Sequence, residues 1–224
     1  MLNDFEKFAL SKGISSLTLH KYKNDSIWDG IISPNIVEER TGNPLQIDVF
    51  SKLFTNRVLF LGTAIDDDVA NIINSQLLYL QMDNDKAPVH LYLNTPGGSV
   101  IDGLSIYDTM NWATCPIHTT CLGLAASMGS ILLAAGEKGE RSALRHSKIM
   151  IHEPMTGSMM HTKCSDFLIE ADEINKTREE LALILSECTG KDKSQVLEDI
   201  QHDKWFTASE GVEYGLIDKV ITRQ

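Results

Sequence analysis

Ser127 stands in the run Gly123-Leu124-Ala125-Ala126-Ser127-Met128-Gly129-Ser130, where a strand-like stretch gives way to a helix-like one. The small neighbours let a backbone or ligand approach closely, and a hydroxyl at a helix N-terminus lies in the positive end of the helix dipole. That setting favours negative charge developing during nucleophilic attack. Two other segments supply what such a serine needs. His152, in Ile149-Met150-Ile151-His152-Glu153-Pro154, is a candidate base at a strand end. Gly98, in Asn94-Thr95-Pro96-Gly97-Gly98, can offer a backbone N–H with no side chain in the way, and Met128 supplies the N–H that follows the nucleophile. Together they suit serine acyl transfer, which requires a nucleophile, a base, a group to orient the base and donors for the oxyanion. Spacing does not select the orienting acid: Asp166, Asp172, Asp192, Asp199, Asp203 and Asp218 all lie downstream. Asp203, just before Lys204-Trp205-Phe206, is expected at a turn between two helices. Each piece alone has a purely structural reading: a serine at a helix start caps it, a strand-end histidine makes an ordinary hydrogen bond, and Pro-Gly-Gly makes a turn.

The elements that must position these residues alternate between strand and helix. Val58 to Leu61, closed by Gly62, reads as a buried strand. Asp66-Asp67-Asp68 resembles a metal cluster but fits the acidic first turn of a helix better, with Val69, Ile72, Ile73, Leu77 and Leu80 at helical spacing. Val89 to Leu93 is a second strand. Ile101, Leu104, Ile106 and Met110 mark a helix, Ile117 to Leu122 a strand, Ser127 to Ala135 a short helix and Lys148 to His152 another strand. A long helix is expected from Ser165-Asp166 to Gly190, with Phe167, Ile174, Leu181, Ile184 and Leu185 inward. Asp192 caps a helix carrying Val196, Leu197 and Ile200. Thr207-Ala208-Ser209-Glu210 has capping-box spacing before a helix ending at Gly215, and Leu216 to Ile221 closes the chain as a strand. This alternation predicts an α/β fold of successive crossover units.

With 224 residues the chain is long enough for one domain with a substantial core. Its net charge of −11 argues against nucleic acid and anionic membrane as partners. Cys115, Cys121, Cys164 and Cys188 form no CxxC pair, which fits buried or inert thiols in a reducing compartment. No apolar run reaches membrane-spanning length, and residues 1–29 lack the apolar centre of a signal peptide, so the default compartment is the cytoplasm.

The chain resembles the proteolytic subunit of the bacterial Clp protease family. The resemblance rests on Phe60-Leu61-Gly62, Ala70-Asn71, Gln76-Leu77-Leu78, Asn94 to Gly98, Ile106-Tyr107-Asp108-Thr109-Met110, Gly123 to Gly129, Ile149 to Pro154 and Val212 to Asp218, and covers the chain from about Ile36 onward. It implies a crotonase-like fold of repeated β-β-α crossover units with a protruding handle helix and strand. It implies residues 1–33 as a removable leader, 34–224 as the peptidase domain, and an axial-pore loop near Ile36 to Arg40. It also implies roles: Ser127 as nucleophile, His152 as base, Asp203 as the acid, and Gly98 and Met128 as oxyanion donors. The implied activity is that of a serine endopeptidase subunit in a compartmentalised ATP-dependent protease built of two stacked heptameric rings. Unfolded proteins would be delivered by an AAA+ unfoldase such as ClpX, ClpA or ClpC. No metal or other cofactor is implied, and ATP would be used by the partner, since the chain has no GxxxxGK[ST] loop. Tyr92, Trp112, Leu122 and Ile221 fall on the family's apolar docking pocket, diluted by His90 and Thr120. The alternatives are a catalytically weak paralogue serving as a ring partner, and an acyl-CoA enzyme of the same superfamily.

Two segments depart from the family pattern. Met155 to Cys164 replaces a glycine-rich strand that lines the peptide cleft, and Glu153 stands where glutamine is usual. Gln201-His202 replaces an acid-arginine pair that bridges the rings, which predicts weaker or pH-sensitive ring pairing.

Overall fold

The computed structural model describes residues 35–40, 43–156 and 163–222. The expected leader, and the part of the altered segment over 157–162, lie outside the described residues. The chain forms two compact units, residues 1–51 and 52–224. In the first, β1 (Asn35–Arg40) and β2 (Asn43–Asp48) pair antiparallel, where the resemblance implies a pore loop. A helix not read from the sequence, α1 (Val49–Thr55), begins there, and Asp48 Oδ1 accepts from the Ser51 amide at 3.0 Å. The second unit carries every candidate site residue.

Its frame is a seven-stranded sheet. Strands β3 (Val58–Leu61), β4 (Val89–Thr95) and β5 (Ile117–Ala126) pair in parallel, as crossover connections require. The ten-residue β5 then serves two branches. Its first half pairs with β6 (Ser142–Leu144), which continues to β9 (Lys219–Ile221). Its second half pairs with β7 (Lys148–Ile151), which continues to β8 (Lys204–Thr207). The β7–β8 pair is antiparallel. Three features differ from the sequence reading. β5 runs four residues further than expected, to Ala126. The final strand covers only Lys219–Ile221, because Leu216 and Ile217 enter the core from a loop. β6 and β8 were not read as strands; each is three or four residues long and shows no readable period.

Helices cover the sheet through the residues their spacing marks. α2 (Asp67–Asp83) is capped by Asp66, whose side chain accepts from the Val69 amide at 2.9 Å, so the acidic triplet is a helix start. It buries Ala70, Ile73, Leu77 and Leu80, whereas Ile72 turns outward. α3 (Val100–Trp112) buries Gly103, Ile106 and Met110 and leaves Ile101 exposed. α4 (Met128–Ala134) is buried at every position. α5 (Cys164–Thr189) ends at Gly190 in the left-handed conformation. Only Leu181, Ala182, Ile184 and Leu185 of α5 are buried, all near its C-terminal end. Phe167, expected inward, is exposed together with Leu168 and Ile169. α6 (Lys193–Asp199) is capped by Asp192. α7 (Ala208–Tyr214) opens with the expected Thr207–Glu210 capping box. Cys115 and Cys121 are buried as expected, but Cys164 is exposed. Among the described residues, no helix is long and apolar enough to cross a membrane, and no group of three or more His, Cys, Asp or Glu is arranged to hold a metal ion.

Candidate active site

The end of β5 and the start of α4 meet at Ser127, whose backbone takes φ 54° and ψ −126°. A non-glycine residue rarely occupies that region, and it persists only when the surroundings hold it there. Hydrogen bonds to both its amide and its carbonyl do so, among them one from the Ser130 amide to the Ser127 carbonyl at 2.9 Å. The Ser127 amide donates to the Met150 carbonyl at 2.9 Å, extending the β5–β7 pairing by one residue. The Ser130 hydroxyl donates to the Ser127 carbonyl at 2.6 Å. The Ser127 side chain makes no cap hydrogen bond. Its Oγ instead lies 2.9 Å from His152 Nε2.

His152 directly follows β7, and its ring is largely buried, with 13% of the side chain exposed. Its other nitrogen, Nδ1, is 3.0 Å from Asp203 Oδ1. Asp203 does not sit in a turn between two helices. It immediately precedes β8, and the register Ile151↔Lys204 sets it across from the end of β7 and hence from His152. The missed strand is therefore what selects this aspartate. Asp166, Asp172 and Asp192 lie on or beside α5 and α6 in other bonds or in solvent, and Asp199 and Asp218 are each committed to a cation.

The glycine turn packs against the serine. Gly97 has φ 91°, and a Cβ there would sit 2.6 Å from both the Ala126 carbonyl oxygen and Ser127 Cβ. Gly98 has φ 154°, and a Cβ there would meet the Ile65 carbonyl oxygen at 2.1 Å. Both positions therefore require glycine. A parallel bridge joins Ile65 and Gly98: the Ile65 amide donates to the Gly97 carbonyl at 2.8 Å, and the Ser99 amide donates to the Ile65 carbonyl at 2.9 Å. Among the described residues, this pattern leaves the Gly98 N–H without an acceptor. Met128 is the first residue of α4, so its N–H has no intrahelical acceptor. A small notch, with room for about one water, lies beside Ser127 and His152 among the side chains of Val100, Ile131, Ile151, Pro154, Leu181 and Leu185. A hydroxyl beside an imidazole, a carboxylate holding that imidazole and two uncommitted amides are the parts that acyl transfer needs.

The four candidate docking residues divide. Tyr92 and Leu122 are half-buried on the sheet face opposite the core, and Ile221 lies on the same face at the β9 edge, 42% exposed. Trp112 is not on the sheet; it is the last residue of α3 and is 67% exposed. The sequence reading missed Phe60 and Leu144, which the register places on that face beside Tyr92 and Ile221. Their alternation with the buried Leu59, Leu61 and Ala143 was the available signal.

The family model described as Clp protease matches residues 41–224. An ATP-dependent Clp protease proteolytic subunit of Porphyromonas gingivalis is 47% identical over 223 residues, 99% of each chain. One from Bacteroides fragilis is 44% identical over 224 residues, the whole of both chains. A third, an ATP-dependent Clp protease proteolytic subunit 1 of Prochlorococcus marinus, is 48% identical over 191 residues, 85% of this chain and 97% of its own.

Proposed function

Since the chain belongs to the Clp protease family, we propose that it is a serine endopeptidase subunit whose Ser127, His152 and Asp203 form a proton-relay triad. The carrying observation is the continuous line from Ser127 Oγ through the His152 ring to Asp203 Oδ1, at 2.9 and 3.0 Å. Ser127 Oγ attacks the peptide carbonyl while His152 Nε2 takes its proton. Asp203 accepts the hydrogen bond from Nδ1–H, fixing the tautomer and stabilising the imidazolium. The carbonyl oxygen, now anionic, receives the Gly98 and Met128 amides, which need no reorganisation at that moment. His152 then protonates the leaving amine, the peptide bond breaks, and the acyl group stays on Ser127. Water, deprotonated by His152, releases the acid product and restores the serine. This chemistry draws on no metal or cofactor, and ATP is consumed by a separate Clp ATPase.

The subunit works in two stacked heptameric rings in the cytoplasm, after removal of a leader over residues 1–33. Phe167, Leu168 and Ile169, exposed on the first turns of α5, support a handle that a second ring covers. The apolar sheet face with Tyr92, Leu122 and Ile221, together with Trp112, receives an AAA+ unfoldase that feeds unfolded protein. Labelling with a fluorophosphonate tests the reading. The intact protein takes up one adduct per chain at Ser127 and hydrolyses a short fluorogenic peptide, and Ser127→Ala does neither. An adduct elsewhere, or none in assembled rings, overturns it.

A further inference from the structure

Asp203 presents a physical problem. Its side chain is 59% exposed, and its carboxylate's hydrogen bond among the described residues is the one to His152. A side chain that open is free to leave its partner unless the backbone beneath it is held. The chain around it is a short excursion, residues 200–203, between the end of α6 and the start of β8. One stitch is visible in the backbone, where the Glu153 amide donates to the Ile200 carbonyl at 2.7 Å.

The second stitch is a cluster of side chains. Asp199, the last residue of α6, is 9% exposed at its side chain. Its Oδ1 receives Lys204 Nζ and, at 3.2 Å, Gln195 Nε2; its Oδ2 receives the Tyr214 hydroxyl at 2.7 Å. Lys204 begins β8, and its ammonium also lies over the Tyr214 and Phe206 rings, 5.3 and 5.8 Å from their centroids. Asp199 and Lys204 thus close the two ends of the excursion on each other, and Tyr214 fastens that closure to α7. Burial pushes the Asp199 carboxyl up, but the bonds from Lys204, Tyr214 and Gln195 outweigh it and hold the group below its ordinary value. The clasp therefore stays charged at working pH. Among the hydrogen bonds of the described residues, none joins a member of the clasp to Ser127 or His152.

We propose that Asp199, clasped by Lys204 and Tyr214, is a positioning residue for the reaction: it acts by holding Asp203 within reach of His152. This rests on the triad reading above. It differs from ordinary stabilisation in one measurable respect. A residue that works only through Asp203 has nothing left to contribute once Asp203 is disabled.

The test is a double-mutant cycle with Asp199→Asn and Asp203→Asn on the assembled protein, reading both peptide hydrolysis and the rate of fluorophosphonate uptake at Ser127. Asp199→Asn alone lowers kcat about tenfold or more, with KM little changed, as a displacement near 1 Å does. In the Asp203→Asn background the same substitution changes the rate less than about twofold. Equal losses in both backgrounds overturn the proposal and make Asp199 a structural residue. Should Asp199→Asn not assemble, Tyr214→Phe and Lys204→Met enter the same cycle, with Lys204→Arg expected to restore most of the lost rate. Uptake at Ser127 in the unmodified protein separates failure of this inference from failure of the triad reading.

Discussion

At the scale of single residues, the site depends on two atoms that are absent. Gly97 and Gly98 have no Cβ, and their turn therefore packs directly against Ser127 and Ile65, the close approach that the proposed oxyanion role of the Gly98 amide requires. The serine answers with a strained backbone, φ 54°, which turns its hydroxyl away from capping and toward His152. Adding a single methyl group tests the arrangement. In Gly98→Ala the new Cβ meets the Ile65 carbonyl, a backbone atom that cannot swing aside. The turn must shift and its amide leaves the oxyanion position. We expect kcat to fall at least about 100-fold, the usual cost of one lost donor. Peptide hydrolysis alongside a thermal melt checks this; a Gly98→Ala protein retaining more than a tenth of the activity would remove Gly98 from the role.

At the scale of elements, the shortest ones matter most. β8 is four residues long and is flanked by helices, and its pairing with β7 decides which aspartate faces His152. α7 begins directly after it with a reciprocal capping box: Thr207 Oγ1 accepts from the Glu210 amide at 3.3 Å, and Glu210 Oε2 accepts from the Thr207 amide at 2.7 Å. The box fixes the junction between β8 and the helix bearing Tyr214. Thr207→Ala removes one half of it, and we expect a loss of about 1 kcal/mol, read as a lower urea midpoint with an unchanged m-value. α5 teaches the opposite lesson. Its helical period is plain in the sequence, yet Phe167 faces solvent because the core packs only against the helix's last turns. Period marks a face; it does not say along how much of the helix that face is covered.

At the scale of the whole molecule, one buried cation ties several layers together. Arg141, 5% exposed, donates to Asp218, to the Ala134 carbonyl at the end of α4 and to the Cys188 carbonyl near the end of α5. Burial pushes the Asp218 carboxyl up, but its bonds with Arg141 and the Gly139 amide prevail and hold it below the ordinary carboxylate value. A group with a depressed folded pKa contributes stability above its unfolded value, near 3.8, and loses it as the pH falls through the folded value. Asp218→Asn leaves a buried guanidinium uncompensated, so it should cost about 3 kcal/mol at pH 7. At strongly acidic pH, below that lowered folded value, the wild-type carboxyl is itself protonated and the gap should close. Urea unfolding at both pH values decides; a gap independent of pH would show that the charge of Asp218 is not what holds the layers.

The sequence by itself determined the α/β alternation, the acidic helix start at Asp66 to Asp68, the helix caps at Asp192 and Thr207 and the glycine turn, and it offered the serine and histidine as candidate partners in one chemistry. Those signals are local: a period, a cap or a small-residue run is written within a few neighbouring positions. Local signals left six aspartates open and only the family resemblance pointed to Asp203; the tertiary structure sets that residue beside the imidazole, puts Phe60 and Leu144 on one face with Tyr92 and Ile221, and gathers Asp199, Lys204 and Tyr214 into one cluster. Each of those depends on strand register between segments distant along the chain, where a slip of one residue would turn every side chain to the other face.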